Sequence, residues 1–174
     1  SGAIILESND SDDSGILSHN SATYTFEGEN EFIYYGSSYN PKLSKNSNQK
    51  YIKMQGRKVY EFALANVPAA MKDCFDQSNC KIENLKKIFI HQANKKMDEA
   101  IIKRFFRLYK MSPPKDVLPM NIEEYGNSSV ATIPTLFDLV KKSDYKGHKL
   151  VKGDLIMFAS VGAGMNINAI TYKI

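Results

Sequence analysis

The closing stretch VKGDLIMFASVGAGMNINAITYKI constrains the fold more than any other part of the chain. Two apolar runs, DLIMFAS and MNINAITYKI, are separated only by the short glycine-bearing turn VGAG. A connection that short joins neighbouring strands antiparallel, because parallel neighbours need a crossover of about a dozen residues or more. The stretch therefore predicts an antiparallel hairpin. A lone hairpin is marginal in water, so further strands or a helix must cover it.

Those partners are readable upstream. SGAIILE reads as a short buried strand and SNDSDDS, residues 8–14, as a polar turn; a second strand is expected over Gly15 to Phe26. Residues 27–49 turn to Ser, Asn, Gly, Lys and Tyr with little periodicity. They read as a long surface excursion of the kind that serves as a lid or binding loop. From Arg57 onward, Val59, Phe62, Ala63, Asn66, Val67, Ala70, Met71 and Cys74 recur at three- and four-residue steps on one helical face. Pro68 falls inside that pattern and predicts a kink or a fresh helical start. The run LKKIFI is a third strand. It is followed by a helix whose stripe is Met97, Ile101, Phe105 and Leu108 and which Pro113 and Pro114 close off. A last helix is expected over residues 129–142. Helices placed between strands predict an α/β fold: a single domain over residues 1–174, with a five-stranded mixed sheet, helices on both faces and the hairpin as its last two strands. A domain that opens directly in a core strand leads one to expect further chain before it.

Charge and cysteines narrow the function. The 174 residues carry a formal net charge of +4, with Lys and Arg interleaved among Asp and Glu. That pattern does not point to nucleic acid, but it suits an anionic partner such as a phosphopantetheine thioester or an acidic protein. The two cysteines, Cys74 and Cys80, match no zinc spacing, and a reduced intracellular pair is expected. No charged-then-apolar leader and no apolar run of about 20 residues is present, so the expected setting is cytoplasmic, away from the membrane. P-loop, G-x-S-x-G and paired-histidine metal motifs are absent, and no metal site is expected.

Three segments carry groups capable of chemistry. His91, in HQAN, stands at the end of an apolar strand, where catalytic groups of open α/β sheets gather. Asn127, in YGNSS, lies in a turn before a helix, where it either caps the helix or points its amide elsewhere. Gly162-Ala163-Gly164 turns sharply between two strands and leaves backbone N–H groups free to meet a ligand. Taken singly, each is more often structural than functional.

Together they resemble the β-ketoacyl-acyl carrier protein synthase III family. HQAN, YGNSS and the Gly-Ala-Gly turn fall in its order and approximate spacing. MQGRKVYEFA resembles its M-x-G-x-x-V-F-x-x-A helix entry, and VKGDLIMFASVGAG its closing glycine-rich run. The resemblance covers almost the whole chain, most weakly over residues 27–49. It implies a thiolase-like fold of two similar halves, of which this chain is the second, in a full-length homodimer. The implied reaction is a decarboxylative Claisen condensation of an acyl-coenzyme A with malonyl-acyl carrier protein in fatty acid biosynthesis, with both thioesters as substrates and no permanently bound cofactor. It implies His91 and Asn127 as donors to the malonyl thioester carbonyl, Asn94 as an orienting residue, and the Ala163 backbone N–H as part of an oxyanion hole. It further implies that Lys96, Lys103 and Arg104 dock the acidic carrier protein; Glu61 departs from a basic position there.

The family's nucleophile is a cysteine on a strand-to-helix turn of the first half. Cys74 sits on an apolar helical face and Cys80 in the polar stretch SNCKIEN, so neither has that context. Without a nucleophile there is no covalent step, and the chain alone is expected to be inert, its partner being the missing N-terminal half. Two alternatives stand beside this reading: a non-catalytic partner subunit of a condensing enzyme, and a related secondary-metabolite acyltransferase.

Overall fold

A computed structural model describes residues 2–8, 10, 14–44 and 48–174. In chain order the strands are β1 (Gly15–Thr23), β2 (Ile33–Gly36), β3 (Tyr51–Met54), β4 (Leu85–Ile90), β5 (Leu155–Gly162) and β6 (Asn166–Lys173). The α-helices are α1 (Pro41–Ser44), α2 (Gly56–Gln77), α3 (Lys95–Leu108), α4 (Ile122–Tyr125) and α5 (Thr132–Lys142).

The main sheet has four strands in the order β1-β6-β5-β4, and β2 and β3 form a separate two-stranded sheet. The expected hairpin is present: β5 and β6 pair antiparallel from Leu155↔Lys173 to Gly162↔Asn166. β4 runs parallel to β5, and β1 antiparallel to β6. The sheet is mixed, but it does not have five strands. Residues 2–8 enter no strand, and Ile4, Ile5 and Leu6 are 76%, 96% and 71% exposed. An apolar run signals only that a strand is possible; it needs a hydrogen-bonding neighbour, and residues 2–8 pair with no strand. The polar turn expected over 8–14 lies mostly outside the described residues, as do residues 45–47 of the surface excursion. The rest of that excursion is more ordered than its composition suggests, because it carries β2, which pairs with β3 from Ile33↔Met54 to Gly36↔Tyr51.

Side-chain alternation along β4 and β5 divides the core in two. Ile88, Ile90, Met157 and Ala159 face α2 and α3, whereas Phe89 and Ile156 face Leu136 and Val140 of α5. Helices therefore cover both faces, and each fully buried Phe or Ile contributes about 1.5–3 kcal/mol. Phe75 of α2 meets Phe105 of α3 and Tyr109 edge-on, at ring-centre distances of 6.5 and 6.1 Å, and these contacts lock the two helices together.

Pro68 neither ends nor restarts α2, which runs unbroken over 22 residues. Proline at this position has no N–H for the carbonyl of Leu64 four residues earlier. Arg104 of α3 supplies the missing donor: its Nη1 donates to the Leu64 oxygen at 2.9 Å. The repair comes from a residue 40 positions away, on the neighbouring helix.

Candidate functional site

β4 ends at Ile90, and the His91 N–H continues the parallel ladder by donating to the Ala159 oxygen at 3.0 Å. The backbone of His91 is thereby fixed at the carboxyl ends of two parallel strands. Its ring is half-buried in an open groove of about 430 Å³ lined also by Ser129, Ile133, Ser160, Gly162 and Ala163. Burial holds the imidazole below its ordinary value, against a smaller opposing effect of a Ser129 backbone group. At neutral pH the ring is therefore uncharged, with one N–H to donate.

Ala163 shares that groove. It opens the turn between β5 and β6, where left-handed backbone falls on Gly164 (φ 75°) and Met165 (φ 48°) and not on Ala163. Its methyl group thus brings no backbone strain. The Ala163 N–H lies outside both strands and makes no other backbone hydrogen bond among the described residues.

Asn127 is not among the groove-lining residues; Ser129, two positions on, is. The Asn127 Oδ1 accepts the Ser129 N–H at 2.9 Å, so the carbonyl half of the amide braces the turn while Nδ2 keeps no protein partner among the described residues. The oxygen thus closes a local turn and caps no helix: neither the 3-10 turn Ser129–Ala131 nor α5 has a side-chain cap. Gly126 makes the turn possible, with φ 62° and ψ −162°, a conformation essentially restricted to glycine. Gly126→Ala is expected to cost about 1–3 kcal/mol of stability, measured by urea unfolding. An unchanged transition would contradict the backbone assigned here.

Asn94 caps α3. Its Oδ1 accepts the N–H groups of Lys96 and Met97 at 3.0 and 3.3 Å, and it makes no hydrogen bond to His91. Whatever it does for the histidine passes through the entry of α3. Lys96 and Lys103 are exposed on α3, but Arg104 has one N–H committed to Leu64, which makes it a structural tie as well as a surface cation. Cys74 is fully buried, its Sγ 3.6 Å from both Ser18 Oγ and Thr171 Oγ1. Cys80 is half-buried, and neither lines the groove. Among the described residues no cluster of three His, Cys, Asp or Glu side chains forms a metal site, and no helix is long and apolar enough to cross a membrane.

Sequence reasoning missed Gln92. It is fully buried, donates from Nε2 to the Pro119 oxygen at 3.1 Å, and accepts the N–H groups of Asn121 and Ile122 at 2.9 and 3.0 Å on Oε1. The available signal was its place between a strand end and a helix cap, where a long amide can reach backbone in a loop close in space but remote in sequence.

Residues 75–174 match the family model described as 3-Oxoacyl-[acyl-carrier-protein (ACP)] synthase III C terminal. The chain is 34% identical to a beta-ketoacyl-[acyl-carrier-protein] synthase III of Pyropia yezoensis over 126 residues, covering 72% of this chain and 36% of that protein. With the same enzyme of Microcystis aeruginosa it shares 30% identity, over 99% of this chain and 50% of the relative. The chain thus spans about a third to a half of the length of these relatives. In fold it is similar to the 3-oxoacyl-[acyl-carrier-protein] synthase III of Aquifex aeolicus, at TM-score 0.71 and 24% identity over 95% of this chain and 46% of that one. It is similar too to a priming beta-ketosynthase of the R1128 polyketide pathway, at TM-score 0.73 and 19% identity over 92% of this chain and 45% of that one. These likenesses make the α/β fold thiolase-like. With more than half of its length matching the family model, the chain belongs to the 3-oxoacyl-[acyl-carrier-protein] synthase III family, whose C-terminal portion it carries.

Proposed function

We propose that this chain is the malonyl-activating half of a condensing enzyme that joins an acyl group from coenzyme A to malonyl-acyl carrier protein with loss of carbon dioxide. The observation that carries the reading is the groove in which an uncharged His91 ring and the Gly162–Ala163 turn stand together. Decarboxylation of a malonyl thioester leaves its electron pair delocalised onto the thioester oxygen. A neutral N–H donor aimed at that oxygen stabilises the charge as it develops, without first having to lose a proton of its own. The spare Nδ2 of Asn127 is the second donor, and the free Ala163 N–H serves the acyl group awaiting attack. Asn94 holds the α3 entry beside His91. Lys96 and Lys103 form the docking face for the acidic carrier protein, with Arg104 contributing only the N–H groups that Leu64 leaves unused.

No cysteine lines the groove, so the nucleophile must come from an N-terminal half, and the chain by itself turns nothing over. The whole enzyme works as a cytoplasmic homodimer in fatty acid synthesis, with both thioesters as substrates and no bound cofactor.

The test separates the two faces of Asn127 in a protein that joins this chain to a cysteine-bearing half. Asn127→Asp retains an acceptor for the Ser129 N–H but lacks the donor, whereas Asn127→Ala lacks both. Both are expected to slow malonyl-thioester decarboxylation by about 10²-fold or more while acyl transfer to the cysteine stays measurable. Decarboxylation at the parent rate in both variants would sink the donor role.

A further inference from the structure

We propose that Gln92 is the positioning residue of this site: its carboxamide sets how far the Asn127 turn stands from His91. The inference rests on the reading that both residues serve one thioester. Its physical basis is that the two candidate donors arrive on separate segments, and no hydrogen bond joins their side chains. His91 takes its position from the sheet through Ala159. Asn127 takes its position from α4, which is only four residues long and ends directly in Gly126.

A single helical turn does not hold itself in water. The Asn121 side chain at its N-terminal end makes no capping bond, so the first N–H groups need another acceptor. Gln92 Oε1 takes two of them, those of Asn121 and Ile122, and Nε2 binds the Pro119 oxygen just before them. One fully buried side chain therefore holds the start of α4 on both sides from the position next to His91. Between that grip and Asn127 lie only the α4 turn and Gly126. The other ties to α4 are exposed: Lys95 with Glu123 at 2.6 Å, Lys146 with Glu124 at 2.7 Å, and the Tyr145 hydroxyl donating to Glu124 at 2.7 Å. Ion pairs in water fix little, so they cannot replace the buried amide.

The same grip reaches His91 from the far side. Asn127 braces Ser129, and a Ser129 backbone group stands against the imidazole. Loosening α4 therefore lifts Ser129 and Val130 off the ring and admits water.

The experiment reads this geometry by nuclear magnetic resonance in the 174-residue chain, where no turnover is needed. In Gln92→Leu, amide exchange at Asn121 and Ile122 is expected to accelerate roughly tenfold or more, the loss of about one hydrogen bond each. The His91 titration midpoint should rise toward that of an ordinary imidazole, and cross-relaxation between its ring and Ser129 should weaken. Gln92→Glu, which keeps both acceptor bonds, should restore the amide protection and the contact between the ring and Ser129. A folded Gln92→Leu chain in which the His91 midpoint and its contact with Ser129 are unchanged would overturn the proposal and reduce Gln92 to a local brace. If Gln92→Leu does not fold, the shorter carboxamide of Gln92→Asn decides: faster exchange at Asn121 and Ile122 with a weakened contact between the ring and Ser129 supports the proposal, and faster exchange beside an unchanged contact overturns it. Should these signals behave as expected while the joined enzyme fails to decarboxylate malonyl thioesters, the thioester reading falls and the positioning role of Gln92 stands.

Discussion

His91→Ala, in a protein that supplies the cysteine-bearing half, is expected to lower malonyl-thioester decarboxylation by about 10²–10³-fold while cysteine acylation survives. The split between the two steps follows from where charge appears. In the proposed reaction the electron pair left by departing carbon dioxide would spread onto the malonyl thioester oxygen, and only that oxygen would be served by the imidazole N–H. Acylation places its charge on a different oxygen, opposite the Ala163 turn. His91→Gln, which keeps an N–H donor of similar reach, should recover part of the loss. Because burial already holds the ring below its ordinary value, the neutral donor persists through neutral pH. Equal loss of both steps in His91→Ala would instead make the histidine a general support of the groove, and the donor assignment would fail.

The second large effect concerns stability. Asp98→Asn is expected to remove a steep dependence of folding on pH. Asp98 is fully buried in α3, and neither of its carboxylate oxygens has a hydrogen-bond partner among the described residues. Burial, helped by the neighbouring charge of Glu99, pushes its pKa up to about 7 from 3.8. The folded chain therefore holds a proton that the unfolded chain releases near pH 4. The stability tied to that proton is fully present below pH 4, falls as the pH rises toward 7, and is gone above it. A displacement of about three pH units corresponds to about 4 kcal/mol. Urea unfolding at intervals from pH 4 to 8 checks this: the parent should weaken across that range relative to Asp98→Asn. Parallel curves for the two proteins would show that Asp98 is charged and paired when folded.

The sequence carried local periodicity well and remote partnerships poorly. The helical face from Val59 to Cys74 is the one α2 buries, and on α3 Met97, Ile101 and Phe105 go inside as their spacing requires. Leu108 does not; it is 49% exposed at the last turn, where the stripe runs past its neighbour. Pro68 does not restart the helix: α2 runs on through it, and Arg104 supplies the donor that the freed Leu64 carbonyl lacks. SGAIILE misled because strand propensity belongs to a segment, whereas a strand belongs to a pair. At the site, the residue types of His91, Asn127 and Ala163 were legible, and so was the ambiguity at Asn127. The buried amide of Gln92 was not, since its three partners lie 27 to 30 positions further on and nothing in HQAN names them.

The strand order has a consequence for assembly. β6, the last strand of this chain to leave the ribosome, lies between β1 and β5 and pairs with both along its whole length. Gly15 cannot meet Lys173 until the 157 intervening residues have been made, so β1 emerges long before its sheet neighbour exists. The helices and the parallel β4–β5 pair can gather earlier, but sheet closure waits until β6 has been made. Sequence-distant pairing of this kind slows folding. A nascent chain stalled within β6 would expose two unfinished strand edges at once, those of β1 and β5.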